Sequence, residues 1–432
     1  MLRSENGHVS ISRCVERGLK RRYATERRFR WFGRAAIMLS LGMLAVLFFT
    51  IFSSGLSAFW QTRIRLDIPV SSDILSPSGD LSPSVLAEAD YARLIKGSLR
   101  NLFPEVQTRR ERRKLYAMVS DGAVYLLRDR VMENPSLVGQ VVSLDVLAAA
   151  PIDMLAKEKI ARSLPESDRK VSDAEIAWFD VLVEEERVFQ AFNTTLFTES
   201  DSRQPEMAGV RGAIIGSFLT LLVALVLSFP IGVGAAIYLE EFASKNRWTD
   251  FIEVNINNLA AVPSIIFGLL GLTIFLQLFG LPRSAPLVGG LVLTLMTLPT
   301  IIIAARTALK SVPPSIREAA LGIGASKLQV VFHHVLPLAM PGILTGTIIG
   351  MSQALGETAP LLMIGMVAFI ADTPSWISDP ATVLPVQIYL WADSPERAFV
   401  ERTSAAIIVL LFFLIVMNIV SIVLRRKFEK RY

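Results

Sequence analysis

The chain has 432 residues, 52% of them hydrophobic and 19% charged, with a mean hydropathy of +0.47. A soluble domain carries about 25% charged residues, so this composition excludes a soluble globular chain and points to a membrane protein. The formal charge of +5 does not call for a nucleic-acid partner, because the charges lie mostly outside the apolar runs, and one cysteine (Cys14) with three histidines excludes a disulfide scaffold and leaves little for a metal site.

Six charge-free intervals follow along the chain. Each suffices to cross the hydrocarbon core once, at about 20 residues per crossing and about 1.5 Å per residue, and none suffices to cross twice. A basic segment, residues 1–34 with Arg21, Arg22, Arg27, Arg28 and Arg30, precedes the first core at 35–58. That core is too long for a cleavable signal and reads as an anchor. Residues 60–208 then form a large insert. The spacing in 173–185 predicts a helix, and Gly122–Leu127 and Gly139–Leu144 read as short strands, so a small mixed α/β domain is expected. Its basic run Arg109–Lys114 reads as a solvated face, with an anion or lipid patch as the alternative.

Further cores follow near 212–239, 256–279, 286–306, 338–363 and 404–424, with a basic tail at 425–432. Lys and Arg at both ends place both termini in the cytoplasm, as an even number of spans requires. Arg306, Lys310, Arg317 and Lys327 then lie inside, and a mainly acidic loop with Asp372, Asp379, Asp393, Glu396 and Glu401 lies outside; Arg203 and Arg211 run mildly against this orientation. The expected fold is an all-α polytopic membrane protein of six transmembrane helices with a mixed α/β extracytoplasmic insert after the first.

No catalytic residue is expected. Nothing matches G-x-x-x-x-G-K-[ST], Gly322 and Gly324 lack a third glycine and a preceding strand, and His333 and His334 adjoin without a nucleophile or carboxylate cluster. The chain reads as no enzyme, with no cofactor and no metal. The segment 312–336 predicts a capped helical hairpin. Ser315 is the N-cap with Glu318 reaching back, the prolines stop the preceding helix, Gly322 and Gly324 end a short helix, and a second helix carries Leu328, Val331, Phe332 and Val335. Such a hairpin is either a docking surface or an ordinary capped loop.

Glu357 interrupts an apolar stretch, where an ionisable residue is functional by default, and Gly356 and Pro360 can break the helix beside it. A carboxylate repels anions, so Glu357 acts as a cation-paired gate or latch, or is satisfied by backbone at the break. Pro263 and Ser264 sit inside the third core, where they either unwind it to aim a half-helix N-terminus at an anion or make a packing kink. Arg306 is the other strong cation close to a span, a pathway candidate whose simpler reading is snorkelling. Gly342, Gly346 and Gly350, four apart, and Gly212 with Gly216 let helices approach closely.

Glu318-Ala319-Ala320, Gly324 and Leu336-Pro337 resemble the EAA loop of bacterial ABC-importer permeases, with His334 where that pattern usually has isoleucine. Tyr238–Phe242, Asn258–Leu272, Leu298–Ile302 and Ala354–Leu362 are similar to the permeases of the phosphate-specific importer. Gly356-Glu357-Thr358-Ala359-Pro360 resembles its A-type subunit, in an extended form with an extra N-terminal domain. The resemblance covers 210–424 and implies a type I importer permease domain. It implies ABC ATPase subunits seated on 312–336, a homologous second permease, a soluble phosphate-binding protein and a place in the bacterial inner membrane. Relatives often carry Arg four residues before the glutamate; Gln353 stands there in this chain, which removes the obvious intrachain partner of Glu357 and speaks against direct phosphate contact from this helix, while Gln353, Glu357 and Thr358 are candidates for the pathway or its gate. A permease for sulfate or molybdate, or a membrane sensor using the insert, are the alternatives.

Overall fold

Strand β1 (Trp60–Pro69) runs through the centre of a three-stranded antiparallel sheet, between β2 (Val141–Leu147) and β3 (Val188–Phe192). Its period-two pattern buries Ile64, Leu66 and Ile68 while Arg65 and Asp67 face outward. Leu66 opposes Leu144, and Ile64 opposes both Val146 and Val188. Helices Tyr91–Leu102, Gly122–Glu133 and Asp173–Glu184 cover the buried face with Leu94, Leu99, Leu127, Val131, Phe179 and Leu182. The expected helix at 173–185 starts on a capping box in which the Ser172 backbone donates to Glu175 at 2.8 Å.

Gly122–Leu127, expected as a strand, opens a helix instead. Its buried residues Ala123, Leu127 and Val131 recur every four, a helical stripe that a six-residue window cannot separate from alternation. The other expected strand forms, beginning at Val141 after a turn at Gly139 with φ +91. The basic run lies on the helix Arg109–Tyr116, where Arg109, Arg110 and Arg113 are exposed, Arg112 bonds Gln107, and Lys114 pairs with Glu166.

This computed structural model describes residues 11–76 and 80–428; residues 1–10, 77–79 and 429–432 lie outside it, with part of the basic N-terminal segment and Lys430 and Arg431 of the tail, as does the Cys14 side chain. The chain divides into two units between Ser53 and Ser54. The first is the bulk of one helix, Ile11–Gly55, whose basic N-terminal part is helical as well as its apolar part. The second contains the α/β insert and a bundle of membrane-length helices.

The bundle helices are Arg211–Ile237, closed by a π-helical turn at Tyr238–Phe242; Pro286–Lys310; Lys327–Gly356; and Ala398–Phe428. With the N-terminal helix, five among the described residues are long and apolar enough to span. The expected third span at 256–279 is not one helix. It is a pair, Arg247–Ala260 and Ser264–Leu278, bent by 100°. Pro263 sits at the bend with ψ 136, and the residue before a proline is itself pushed out of the helical region, so the helix stops there. The fifth core, expected over 338–363, ends at Gly356; Glu357 turns extended with ψ 123, and a separate short helix covers Ala359–Met363.

Close packing explains most of the small residues. A Cβ added at Gly342 would lie 2.7 Å from Ala308 Cβ, and one at Gly346 would lie 2.1 Å from Ala304 Cβ; Gly350 faces Thr300 at 3.7 Å. Three glycines four apart thus meet three small residues four apart on Pro286–Lys310, a contact within this bundle. Gly212 and Gly216 do not meet another helix. A Cβ there would touch Ser200 Oγ at 3.0 Å and the Thr382 carbonyl at 2.0 Å, so they admit the insert and a connecting loop.

The insert is fastened to that end of the bundle. Lys157 Nζ donates to Asp153 at 2.7 Å and to Glu401 at 3.0 Å, with all three side chains nearly buried. Trp391 Nε1 donates to Asp201 at 2.9 Å, and the Ser200 and Thr373 hydroxyls are 3.0 Å apart. Burial pushes the carboxyls of Asp201 and Glu206 up from their ordinary values, against the hydrogen bonds that each accepts.

Candidate functional site

At the bundle end remote from the insert, the segment 312–336 is the expected hairpin with a different capping scheme. The first helix runs Pro314–Gly322 with Pro313 as its N-cap, so Ser315 lies inside the first turn and makes no box with Glu318. Two successive prolines set the entry geometry, and the N–H that Pro314 lacks would have been unpaired there anyway. The capping box forms one helix later. Ser326 backbone N–H donates to Gln329 at 2.9 Å, and Gln329 N–H donates back to Ser326 Oγ at 3.4 Å.

Gly324 ends the first helix at φ +88, with Gly324 N–H to Leu321 O at 2.9 Å and Ala325 N–H to Ala320 O at 3.1 Å. That is a full Schellman motif, and a side chain at 324 would be strained although it has open space around it. Ala320 turns inward against a cluster that includes Val330, Val331 and Val335. Glu318 and Ala319 are exposed, and among the described residues no ion pair or side-chain hydrogen bond holds Glu318. Around it stand exposed Leu321, Leu328, Phe332 and Ile323, the last 83% exposed. Leu336 is half-buried and Pro337 exposed. Pro337 directly follows the π-helical turn Val330–Val335, and the hairpin's second arm runs through it into the span ending at Gly356.

Behind the hairpin lies a set of ion pairs. Arg317 Nη2 donates to Glu241 at 2.6 Å, its Nε reaches both oxygens of the same carboxylate at 3.2 and 3.3 Å, and Nη1 and Nη2 donate to the carbonyls of Val312 at 2.7 Å and Leu309 at 2.9 Å. Arg306 donates to Glu253 at 2.9 Å and lies 3.5 Å from Glu240, which also meets Lys310 at 3.6 Å. Arg306 therefore does not snorkel to water, nor does it stand near Glu357; it ties the π-helical end of one span to Arg247–Ala260 and Pro286–Lys310. Glu240 and Glu241 are functional candidates that sequence reasoning passed over. Two adjacent acids closing an apolar run, with three cations in later loops, were the available signal.

The two helix breaks come together elsewhere in the bundle. Helix Ser264–Gly271 packs along Ala359–Met363, so closely that a Cβ on Gly268 would lie 2.7 Å from Pro360 Cα and 2.9 Å from Met363 Cβ. Pro263 and Ser264 begin one arm of this contact and Glu357 and Thr358 begin the other. Ser264, Glu357 and Thr358 are half-buried and Gln353 is exposed. Ser352 on the same helix donates to Asn418 at 3.1 Å. Among the described residues no cation or hydrogen bond reaches the Glu357 carboxylate. Non-helical backbone is tolerated inside a membrane bundle only where protein or a water-filled cavity covers it, which makes a pair of adjoining breaks the natural place for a polar path.

Comparison with known proteins bears on both places. Residues 228–432 match the family described as "Binding-protein-dependent transport system inner membrane component", and residues 16–166 match a "Domain of unknown function (DUF3333)". The chain is similar to the "Probable ABC transporter permease protein YqgI" of Bacillus subtilis, 33% identical over 42% of this chain and 65% of that one, just under two thirds of its length. It is also similar to the "Phosphate transport system permease protein PstA" of Yersinia pestis, 33% identical over 54% of this chain and 78% of that one, and of Haemophilus influenzae, 31% identical over 53% and 80%. Among solved structures, the MetNI methionine ABC transporter in an inward-facing conformation aligns at 18% identity and TM-score 0.41, over 51% of this chain and 96% of that one. With about a third of residues identical across more than two thirds of the Yersinia and Haemophilus proteins, the chain belongs to the PstA family of phosphate transport system permeases.

Proposed function

We propose that this chain is the membrane-spanning permease subunit of an ATP-driven importer of inorganic phosphate. The observation that carries the reading is its identity with PstA proteins, whose name states phosphate transport. ABC ATPase subunits seat on the hairpin 312–336, where Glu318, unpaired among the described residues, and exposed Leu321, Ile323, Leu328 and Phe332 supply one charge and an apolar collar. A homologous second permease completes the pathway, and a soluble phosphate-binding protein delivers the anion on the insert's side. The basic segments at both ends support cytoplasmic termini in the bacterial inner membrane.

Phosphate passes the adjoining breaks at Pro263–Ser264 and Gly356–Thr358. A site that bound a multiply charged anion tightly would need many aligned donors, and few face this junction. It is therefore a low-affinity conduit, with Glu357 as a gate that a cation of a neighbouring chain neutralises. Glu357→Gln is expected to leave assembly intact and lower phosphate uptake by about tenfold, the equivalent of about 1.4 kcal/mol and of one lost charged hydrogen bond; unchanged uptake would remove Glu357 from the pathway. Glu318→Lys is expected to abolish co-purification of the ATPase, and retention would remove the hairpin as its seat.

A further inference from the structure

At the foot of the insert, four aromatic rings form one partly exposed cluster. Phe59 stacks on Phe197 at 6.0 Å, Phe197 stacks on Phe192 at 6.2 Å, and Phe192 meets Trp60 edge-on at 6.3 Å. Trp60 and Phe192 are each 51% exposed and Phe197 is 38% exposed. Trp60 and Phe192 are cross-strand partners at the last rung of the β1–β3 pairing, on the face that carries Ile64 and Val188, and at that end of the ladder both rings stay half exposed. The Trp60 indole N–H has no partner among the described residues.

The level of this cluster relative to a bilayer follows from its neighbours. The last helix carries no charge from Thr403 to Leu424, so hydrocarbon begins near Ser404 on that helix. Gly55 stands at the same level, because a Cβ there would lie 2.9 Å from the Ser404 carbonyl carbon and 3.0 Å from the Ala405 nitrogen. From Gly55 the chain climbs through the 3-10 turn Leu56–Phe59, which at about 2 Å per residue carries Phe59 and Trp60 no more than about 10 Å farther. Asn193 holds the end of β3 to that turn, donating from its backbone N–H to Phe59 O and from Nδ2 to Ala58 O, both at 2.8 Å. Leu196, next to Phe197, is buried in one cluster with Ala58, Ala405 and Ala406.

We propose that Phe59, Trp60, Phe192 and Phe197 seat the insert in the phospholipid headgroup layer of the leaflet on its own side of the membrane. Rings with an apolar body and one polar edge concentrate at that depth, where the indole N–H meets headgroup oxygens while the ring faces meet the upper acyl chain. Together with Lys157–Glu401 and Trp391–Asp201 this seat holds the insert by two sides, so the domain stands at a fixed height above the pathway.

The test uses the full chain in nanodiscs of phosphatidylcholine and phosphatidylglycerol, with part of the lipid brominated either high on the acyl chain or at its end. The chain has six tryptophans, so the Trp60 signal is the difference between the wild type and the conservative Trp60→Phe variant. The Trp60 component should be quenched strongly by the shallow bromines, weakly by the deep ones and little by aqueous acrylamide. In a Phe192→Ser/Phe197→Ser variant the shallow quenching should fall and acrylamide quenching rise. Strong acrylamide quenching of the wild-type Trp60 component with no response to either bromolipid would overturn the proposal and leave the rings for a soluble partner to cover.

Discussion

Arg317→Ala is expected to abolish phosphate uptake in an assembled complex whose ATPase still turns over. One guanidinium forks the Glu241 carboxylate and also caps the carbonyls of Leu309 and Val312, so it ties the hairpin helix to the ends of two spans. Both side chains are largely buried, at 22% and 11% exposed, so the loss of a charged, bidentate contact costs about 2–3 kcal/mol and leaves Glu241 unpaired. Arg317→Lys should recover little, since an ammonium on a flexible stem cannot fork a carboxylate and cap two carbonyls together. The swap of Glu241→Arg with Arg317→Glu should also fail, because a carboxylate at 317 would face those same carbonyls. The measurement is ATP hydrolysis and phosphate uptake on the same proteoliposomes; uptake that stays proportional to hydrolysis would show that the contact carries no coupling.

Gly346→Ala is expected to destabilise the bundle far more than Gly350→Ala, although the two positions are one turn apart on one helix face. At 346 the new Cβ would lie 2.1 Å from Ala304 Cβ, which has no flexible end to move aside, whereas at 350 the nearest atom is 3.7 Å away. Overpacking of this kind costs about 1–3 kcal/mol, and here the helices must separate to admit the methyl group. Gly350→Ala meets only ordinary contact and exchanges glycine for a residue preferred in helices by about 1 kcal/mol. Thermal unfolding of the two purified variants, followed by loss of the monodisperse peak, checks the order; equal midpoints would place the contact between Lys327–Gly356 and Pro286–Lys310 elsewhere.

What the sequence disclosed and what it hid follow different physics. Five of the six charge-free stretches coincide with helices long and apolar enough to span, among the described residues, because that pattern depends on lipid alone. The break at Pro263 was legible as a possibility, but its 100° bend depends on Gly268 fitting against Pro360, a contact nearly 100 residues away in the chain. The hairpin was legible through Gly324, whose φ of +88 asks for glycine whatever surrounds it. The first helix begins at Pro314 with Pro313 as its cap and not at Ser315, because Ser315 and Glu318 have the spacing of a box and only the geometry of the two prolines shows that the helix has already started. Arg306 looked like a lone cation because ion pairs with Glu240 and Glu253 span more than 50 residues and leave no local period. Gly122–Leu127 was short enough for strand and helix patterns to coincide.

The central claim, that this permease carries phosphate, is tested most directly by uptake of labelled phosphate at low external concentration. Cells lacking only this chain are compared with cells in which it is restored, with sulfate and molybdate as controls and no other phosphate importer active. Phosphate uptake alone should be lost and regained. Unchanged phosphate uptake, or a defect confined to sulfate or molybdate, would contradict the claim.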